Sequence, residues 1–262
     1  MSLLHALILG IIEGLTEFLP ISSTFHLLFA SKLLGITQTE FSKFFDVFIQ
    51  AGAILAVVVL FFKDWFKDIE LLKKVAVSFV PTAIVGFVLH QVIKDVFFES
   101  ERLMIASFLI VGFLFLMVES RIKKGTLNLN KSLVTLSYSQ AVLIGLFQAM
   151  AVVPGVSRAG AVIVGMMVLG FRREDAAKYS FTLAVPTILA AALLDVVKMR
   201  ENLSLMDSAN TMALAVGFVA AFLSALIIIK WFIQFLRSNS LSVFAWYRWV
   251  VGTALLLFGF GR

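Results

Sequence analysis

Four side chains stand out against an apolar chain. Glu13 and Glu17 lie four residues apart in an uncharged segment, a spacing that puts both carboxylates on one helix face. Two carboxylates this close in a medium of low dielectric repel each other, so they need a proton, a basic residue or a divalent metal beside them. His26 comes nine residues after Glu17, just past Ser22-Ser23-Thr24. A neutral imidazole can take or give a proton near neutral pH, or attack phosphorus itself. Arg158 follows Pro154-Gly155-Val156-Ser157, and a guanidinium fork matches an oxyanion such as phosphate. Gly155 and Gly160 allow close backbone approach, and a helix opening after the turn directs free N–H groups at an anion. Arg158 can instead form an internal ion pair with Glu13 or Glu17, and such a resting pair can yield to phosphate. Together these residues suggest one oxyanion site, with acids from one segment and Arg158 from another. His5 and His90 have no such company and read as structural.

The elements that must carry these groups are membrane helices. Apolar residues make up 61% of the 262 residues and charged residues only 15%, against roughly 25% in an average globular protein. Mean hydropathy is +1.01. This excludes disorder, a collagenous fibre, a disulfide scaffold and an ordinary cytosolic enzyme. There is no cysteine, which removes thiolate catalysis and Cys-ligated metals. No basic n-region or small-residue cleavage site flanks the first apolar run, so no removable signal peptide is expected. Stretches 47–62, 75–93, 103–118, 179–194, 208–229 and 249–261 contain no Asp, Glu, Lys or Arg. They predict six spans, the last requiring a helix that starts near Val243 and turns Arg248 toward protein. Regions 1–31 and 132–171 are broken by Pro20 and by Pro154-Gly155. Apolar pieces of about 10–14 residues are more often re-entrant than spanning, so each region is expected to form a re-entrant hairpin with a polar tip.

The two hairpin regions also match each other. Gly10-Ile-Ile-Glu13 resembles Gly145-Leu-Phe-Gln148 at an offset of 135, and Pro20 and Ser23 recur as Pro154 and Ser157 at 134. Ile54-Leu55-Ala56 recurs as Ile188-Leu189-Ala190 at 134, and Val111-Gly112 as Val251-Gly252 at 140. Four collinear matches predict an internal duplication with halves 1–125 and 132–262 in a single integral membrane domain. Each half holds one hairpin and three spans, so the second is expected to be inverted, with the site between broken segments near midplane. The formal charge of +6 sits in short clusters between apolar runs and is not read as nucleic-acid binding. The clusters at 63–74, 121–131, 172–178 and Arg237 fall on one face, expected to be cytoplasmic. Loops 94–102 and 198–207 are then external.

Gly10-Ile-Ile-Glu13-Gly-Leu-Thr-Glu17-Phe-Leu-Pro20-Ile-Ser22-Ser23-Thr24-Phe25-His26 resembles the signature of the bacterial undecaprenyl-pyrophosphate phosphatases of the bacitracin-resistance type. Pro154-Gly-Val-Ser157-Arg158-Ala159-Gly160 is similar to that family's second signature, and the segment from Phe45 to Ala56 also resembles it. The resemblance implies a multi-pass hydrolase of the bacterial inner membrane. It would remove the terminal phosphate of a C55 polyprenyl diphosphate, regenerating the carrier for cell-wall synthesis, with its site opening outward. It implies Glu13 and Glu17 as an acidic pair acting with a divalent cation (Mg2+ or Ca2+). Ser23 and His26 become candidates for nucleophile or proton transfer, with Arg158 beside them. Ser22, Thr24, Gln148, Gly155, Ser157 and Gly160 are the candidate substrate contacts. The expected partners are the polyprenyl diphosphate and membrane lipids, with a homodimer as the candidate assembly. Three positions depart from the pattern. Ala159 and Val162 replace usual hydroxyls, and Phe25 replaces the usual Gly before His26. The missing hydroxyls make a polyprenyl-phosphate transporter or flippase the alternative.

Overall fold

The computed structural model describes residues 1–89, 100–203 and 208–260, with backbone alone at 195 and 198–203. Residues 90–99 and 204–207 lie outside that description, and with them His90 and most of the expected loop 94–102; residues 198–203 of the other expected loop are helical instead, because the helix begun at Arg173 runs on to Leu203. Ten α-helices make up the described chain. They are α1 (Leu3–Thr16), α2 (Ser23–Leu33), α3 (Glu40–Trp65), α4 (Ile69–Val88) and α5 (Glu101–Lys123), then α6 (Tyr138–Ala149), α7 (Arg158–Val168), α8 (Arg173–Leu203), α9 (Ser208–Ser238) and α10 (Ser242–Leu257). Helices α3, α4, α5, α8 and α9 are long and apolar enough to cross a membrane. The sixth predicted span, α10, has 16 residues, about 24 Å at 1.5 Å per residue. It begins one residue before Val243, and its Arg248 is fully buried, so both conditions set for this segment are met. Large apolar side chains such as Phe62, Phe87, Ile110, Ile227 and Leu257 are exposed around the outside. That surface suits lipid rather than water.

Local chemistry explains the helix starts. Thr39 and Ser137 each accept from the backbone three residues on, while Ser42 and Gln140 return a bond to the cap, closing two capping boxes. These satisfy donors that a helix N-terminus leaves open. The two predicted hairpins are present as the short helix pairs α1–α2 and α6–α7.

Packing is reciprocal between the halves. Helix α1 lies along α9, and α6 lies along α4. Helices α3 and α8 pack on each other, and α10 packs on α5. Small residues permit the α1–α9 approach: a Cβ on Gly10 or Gly14 would run into the carbonyls of Gly217 and Ala221, the close-backbone contact that membrane helices favour.

Three of the four basic clusters interlock at one end. Arg173 pairs with Glu119, Arg237 with Glu174 at 2.9 Å, and Lys131 donates to the Leu169 carbonyl at 2.8 Å. A cavity of about 350 Å³ lies there, lined by Arg172, Arg173, Glu174 and Arg237. Each of these four is engaged in an ion pair, so this cavity is part of the scaffold.

Candidate active site between the two hairpins

Each hairpin turns through a serine in a left-handed conformation. Ser22 has φ 68° and Ser157 has φ 72°, and among the described residues they are the non-glycine positions with positive φ. For an L-residue this costs about 1–2 kcal/mol. The same serines cap the following helices: Ser22 Oγ accepts from Phe25 N, and Ser157 Oγ from Gly160 N. The shared geometry aligns Ser22 with Ser157, not Ser23 with Ser157 as the sequence matching expected. Ser23 and Arg158 are therefore equivalent, each the first residue of its helix.

These turns face a cavity of about 190 Å³, smaller than the roughly 300–1,000 Å³ of a drug-sized ligand pocket. Glu17, Ser22, Ser23 and Thr24 line it from the first hairpin, and Pro154, Gly155, Ser157 and Arg158 from the second. Gln50 of α3 and Thr187 of α8 complete the polar lining. Thr187 lies fourteen residues beyond Arg173 on α8, about 21 Å along the axis, so the cavity is well separated from the basic end.

The centre is an ion pair between the hairpins. Arg158 Nη2 donates to Glu17 Oε1 at 3.0 Å, and the two side chains are 11% and 7% exposed. Ser23 Oγ donates to the other oxygen, Glu17 Oε2. Arg158 Nη1 donates to the Ser180 carbonyl at 3.0 Å, while its Nε is buried without an acceptor. The acid and the guanidinium placed on separate segments by sequence thus meet, and Ser23 sits on the acid.

The remaining predicted site residues divide. Glu13, one turn below Glu17, is fully buried, and neither of its oxygens has a partner. Glu17, Asp46 and Arg158 are its charged neighbours. Hard carboxylate oxygens left without donors are what Mg2+ or Ca2+ takes, so Glu13 fits such an ion as it stands, whereas Glu17 joins it only on releasing Arg158 or Ser23. Among the described residues no group of three His, Asp or Glu could hold a metal ion, so substrate oxygens and water must complete the shell. His26 stands off the cavity lining, with both ring nitrogens engaged: Nδ1 lies 2.8 Å from the Ser22 carbonyl and Nε2 2.7 Å from Tyr247 Oη. Gln148 is also off the lining and donates to Thr82 and to Thr187, touching the cavity only through the latter. Gly160 is a packing residue. Its N–H is consumed by Ser157, and a Cβ there would meet Phe115. Gly155 lines the cavity, but its φ of 92° and its contact with Met104 and Ser107 of α5 also seat the second turn.

The departures from the family pattern lie away from the cavity. Ala159 and Val162 are completely buried in the apolar core, and Phe25 stacks on Phe108 with ring centroids 3.9 Å apart. Their changes do not strip polar groups from the lining. Sequence reasoning passed over Gln50, Thr187, Asp46, Tyr247 and Arg248 as site residues. For Gln50 and Asp46 a signal existed: polar groups one turn apart on an apolar helix.

Fold and site together define an integral membrane protein with a buried polar cleft between two helical hairpins. The chain belongs to the bacitracin resistance protein BacA family, whose model matches residues 6–254. It is 48% identical over 252 residues to an undecaprenyl-diphosphatase of Sulfurihydrogenibium sp., covering 96% of this chain and 97% of that one. It is 39% identical to the undecaprenyl-diphosphatase of Aquifex aeolicus, covering 97% of each, and 43% identical to that of Wolinella succinogenes, covering 98% of each. These names describe a diphosphatase and lend no support to the transporter alternative.

Proposed function

We propose that this protein hydrolyses undecaprenyl diphosphate to undecaprenyl phosphate and inorganic phosphate, recycling the lipid carrier for cell-wall synthesis. One observation carries the reading: the Glu17–Arg158 contact at 3.0 Å, with the Ser23 hydroxyl on the same carboxylate.

The diphosphate enters between the hairpins with its isoprenoid tail along the apolar outer surface. A phosphate oxygen replaces Glu17 on Arg158, and the unpaired Nε offers a second donor, the bidentate recognition a guanidinium favours. Glu17, released, takes the proton from Ser23 Oγ, which attacks the terminal phosphorus. The P–O bond to the polyprenyl phosphate breaks, and that monophosphate departs. Water then cleaves the phosphoserine, returning the hydroxyl and releasing inorganic phosphate. The first N–H groups of α2 and α7 and the Arg158 charge stabilise the equatorial oxygens, the main need in phosphoryl transfer. A divalent cation held by Glu13 and Glu17 would add charge neutralisation there. His26, braced by Tyr247, holds the Ser22 carbonyl and so fixes the turn that presents Ser23.

The same reading places the chain in the bacterial inner membrane, with the basic end cytoplasmic and the cavity opening outward. Its reciprocal packing and paired serines support an inverted duplication. Phosphate release from a C55 or C15 diphosphate by purified protein in detergent, with and without chelator, tests the activity. Release without a sealed membrane is expected, reduced by chelator. No release from either substrate would overturn the assignment, and release unaffected by chelator would remove the cation from it.

A further inference from the structure

Arg248 is the largest fully buried side chain in the described structure, and it sits on α10, outside both hairpins. Among the described residues no carboxylate pairs with it. All of its hydrogen bonds go to backbone carbonyls instead. Nε donates to Pro20 O at 2.8 Å, Nη1 to Gly155 O at 2.9 Å and to Phe108 O at 3.2 Å, and Nη2 to Val156 O at 3.0 Å. The guanidinium also lies over the rings of Phe108 and Phe115, 4.7 and 5.2 Å from their centroids. Pro20 is in the first turn, two residues before Ser22, and Gly155 is in the second turn, two residues before Ser157. Under the alignment set by the two positive-φ serines, the carbonyls of Pro20 and Gly155 are equivalent. One guanidinium thus joins the same point of both turns.

Such a joint has a consequence beyond satisfying backbone oxygens at membrane depth. Ser23 follows Pro20 by three residues, and Arg158 follows Gly155 by three. The separation of the two bridged carbonyls therefore governs the separation of Ser23 and Arg158. We propose that Arg248 is a positioning residue for the headgroup site, a cross-brace that holds Ser23 and Arg158 at the spacing at which they engage one phosphate. Only a planar fork with donors on both sides can do this. A lysine ammonium reaches one turn or the other, and a shorter amide keeps a donor for one turn without burying a charge. The bracing role rests on the hydrolase reading for its kinetic consequence and on geometry for its placement.

The experiment compares wild type, Arg248→Lys and Arg248→Gln as purified, folded protein. For both variants kcat per folded molecule with a C15 diphosphate is expected to fall at least tenfold while KM stays within threefold. A role in folding alone would lower yield and thermal stability and leave kcat per folded molecule intact. Because the chain has no cysteine, spin labels at Leu19→Cys and Val153→Cys report the distance between the turns directly. A narrow distance distribution is expected with Arg248 and a broader or displaced one in either variant. Normal kcat and an unchanged distribution in a folded variant would overturn the brace. Failure of both variants to fold would assign Arg248 to folding and overturn it too. If wild type itself releases no phosphate, the hydrolase reading fails, and the label distances alone decide the placement.

Discussion

Ser23 and Arg158 occupy the same position in two turns of the same shape, yet one is a neutral hydroxyl and the other a cation. In both turns a serine with positive φ caps the next helix, and the first helical residue points a functional group into the cavity. The first copy supplies a hydroxyl resting on Glu17, and the second supplies the cation that pairs with Glu17. The backbone device is shared, and in the proposed mechanism the side chain at one position divides the labour between nucleophile and anion holder. A second contrast shows which ion pairs are poised to open. Arg173 grips Glu119 through two donors, and Glu119 also accepts from Leu241 N at 2.8 Å. Arg158 grips Glu17 through one donor and leaves Nε bare. The unpartnered buried polar atoms of the described structure belong to Glu13, Asp46, Gln148, Arg158 and Ser180, all in or beside the cavity. The basic end is saturated and holds the fold. The hairpin site is unsaturated and can take a ligand.

Breaking the division of labour is expected to have the largest effect. Ser23→Ala and Arg158→Ala should each lower kcat for phosphate release by about 10³-fold or more, the scale of losing a nucleophile or an arginine on a transferring phosphoryl group. Circular dichroism should show both variants folded. Normal turnover by Ser23→Ala would shift the attack to water. Glu17→Gln keeps the shape but cannot take the proton, and a loss of about 10²–10⁴-fold is expected for a general base. Single-turnover phosphate release by the folded variant checks it, and a rate within about threefold of wild type would remove Glu17 as the proton acceptor.

The saturated pair should behave in the opposite way. Glu119→Gln leaves the partly exposed Arg173 without its acid, and the loss is expected at or below about 3 kcal/mol, the low end for breaking a fully buried pair. Thermal unfolding should register that loss, whereas kcat per folded molecule should stay within about threefold, under 1 kcal/mol of barrier. The smallest effect is expected from restoring the family hydroxyls. Ala159→Ser and Val162→Thr should change kcat by no more than about twofold, about 0.4 kcal/mol of barrier, because both side chains are sealed in the core. A tenfold gain from either would put those positions at the substrate.

Much of this was legible in the sequence, for reasons that can be stated. Charged groups are so costly in apolar segments that Glu13, Glu17 and Arg158 announced a site before any geometry. The breaks at Pro20 and Pro154 marked the hairpins, because proline cannot continue a helix ladder. The Pro20–Pro154 and Ser23–Ser157 match is one residue out of register, because the backbone repeats φ where side-chain identity does not, whereas Gly10 and Gly145 match at the structural offset of 135. His26 was read as a cavity group from its neighbours in sequence. Its partner Tyr247 lies 221 residues away, a distance no local pattern spans. Arg248 was treated only as an obstacle to a membrane span. Its partners are main-chain oxygens, which carry no residue identity, so nothing in sequence could point to them. Thr187 hid for a similar reason, since threonine in a membrane helix often bonds its own backbone, as it also does here to Leu183 O at 2.9 Å.

The most direct measurement is kcat/KM for a C55 diphosphate across four proteins: wild type, Glu17→Gln, Arg158→Lys and the double variant. If the two hairpins grip one headgroup as a unit, the double variant should be no slower than the worse single variant by more than about threefold, the non-additivity of groups that act together. Losses that multiply across the cycle would mean that Glu17 and Arg158 act independently, and would contradict a shared site.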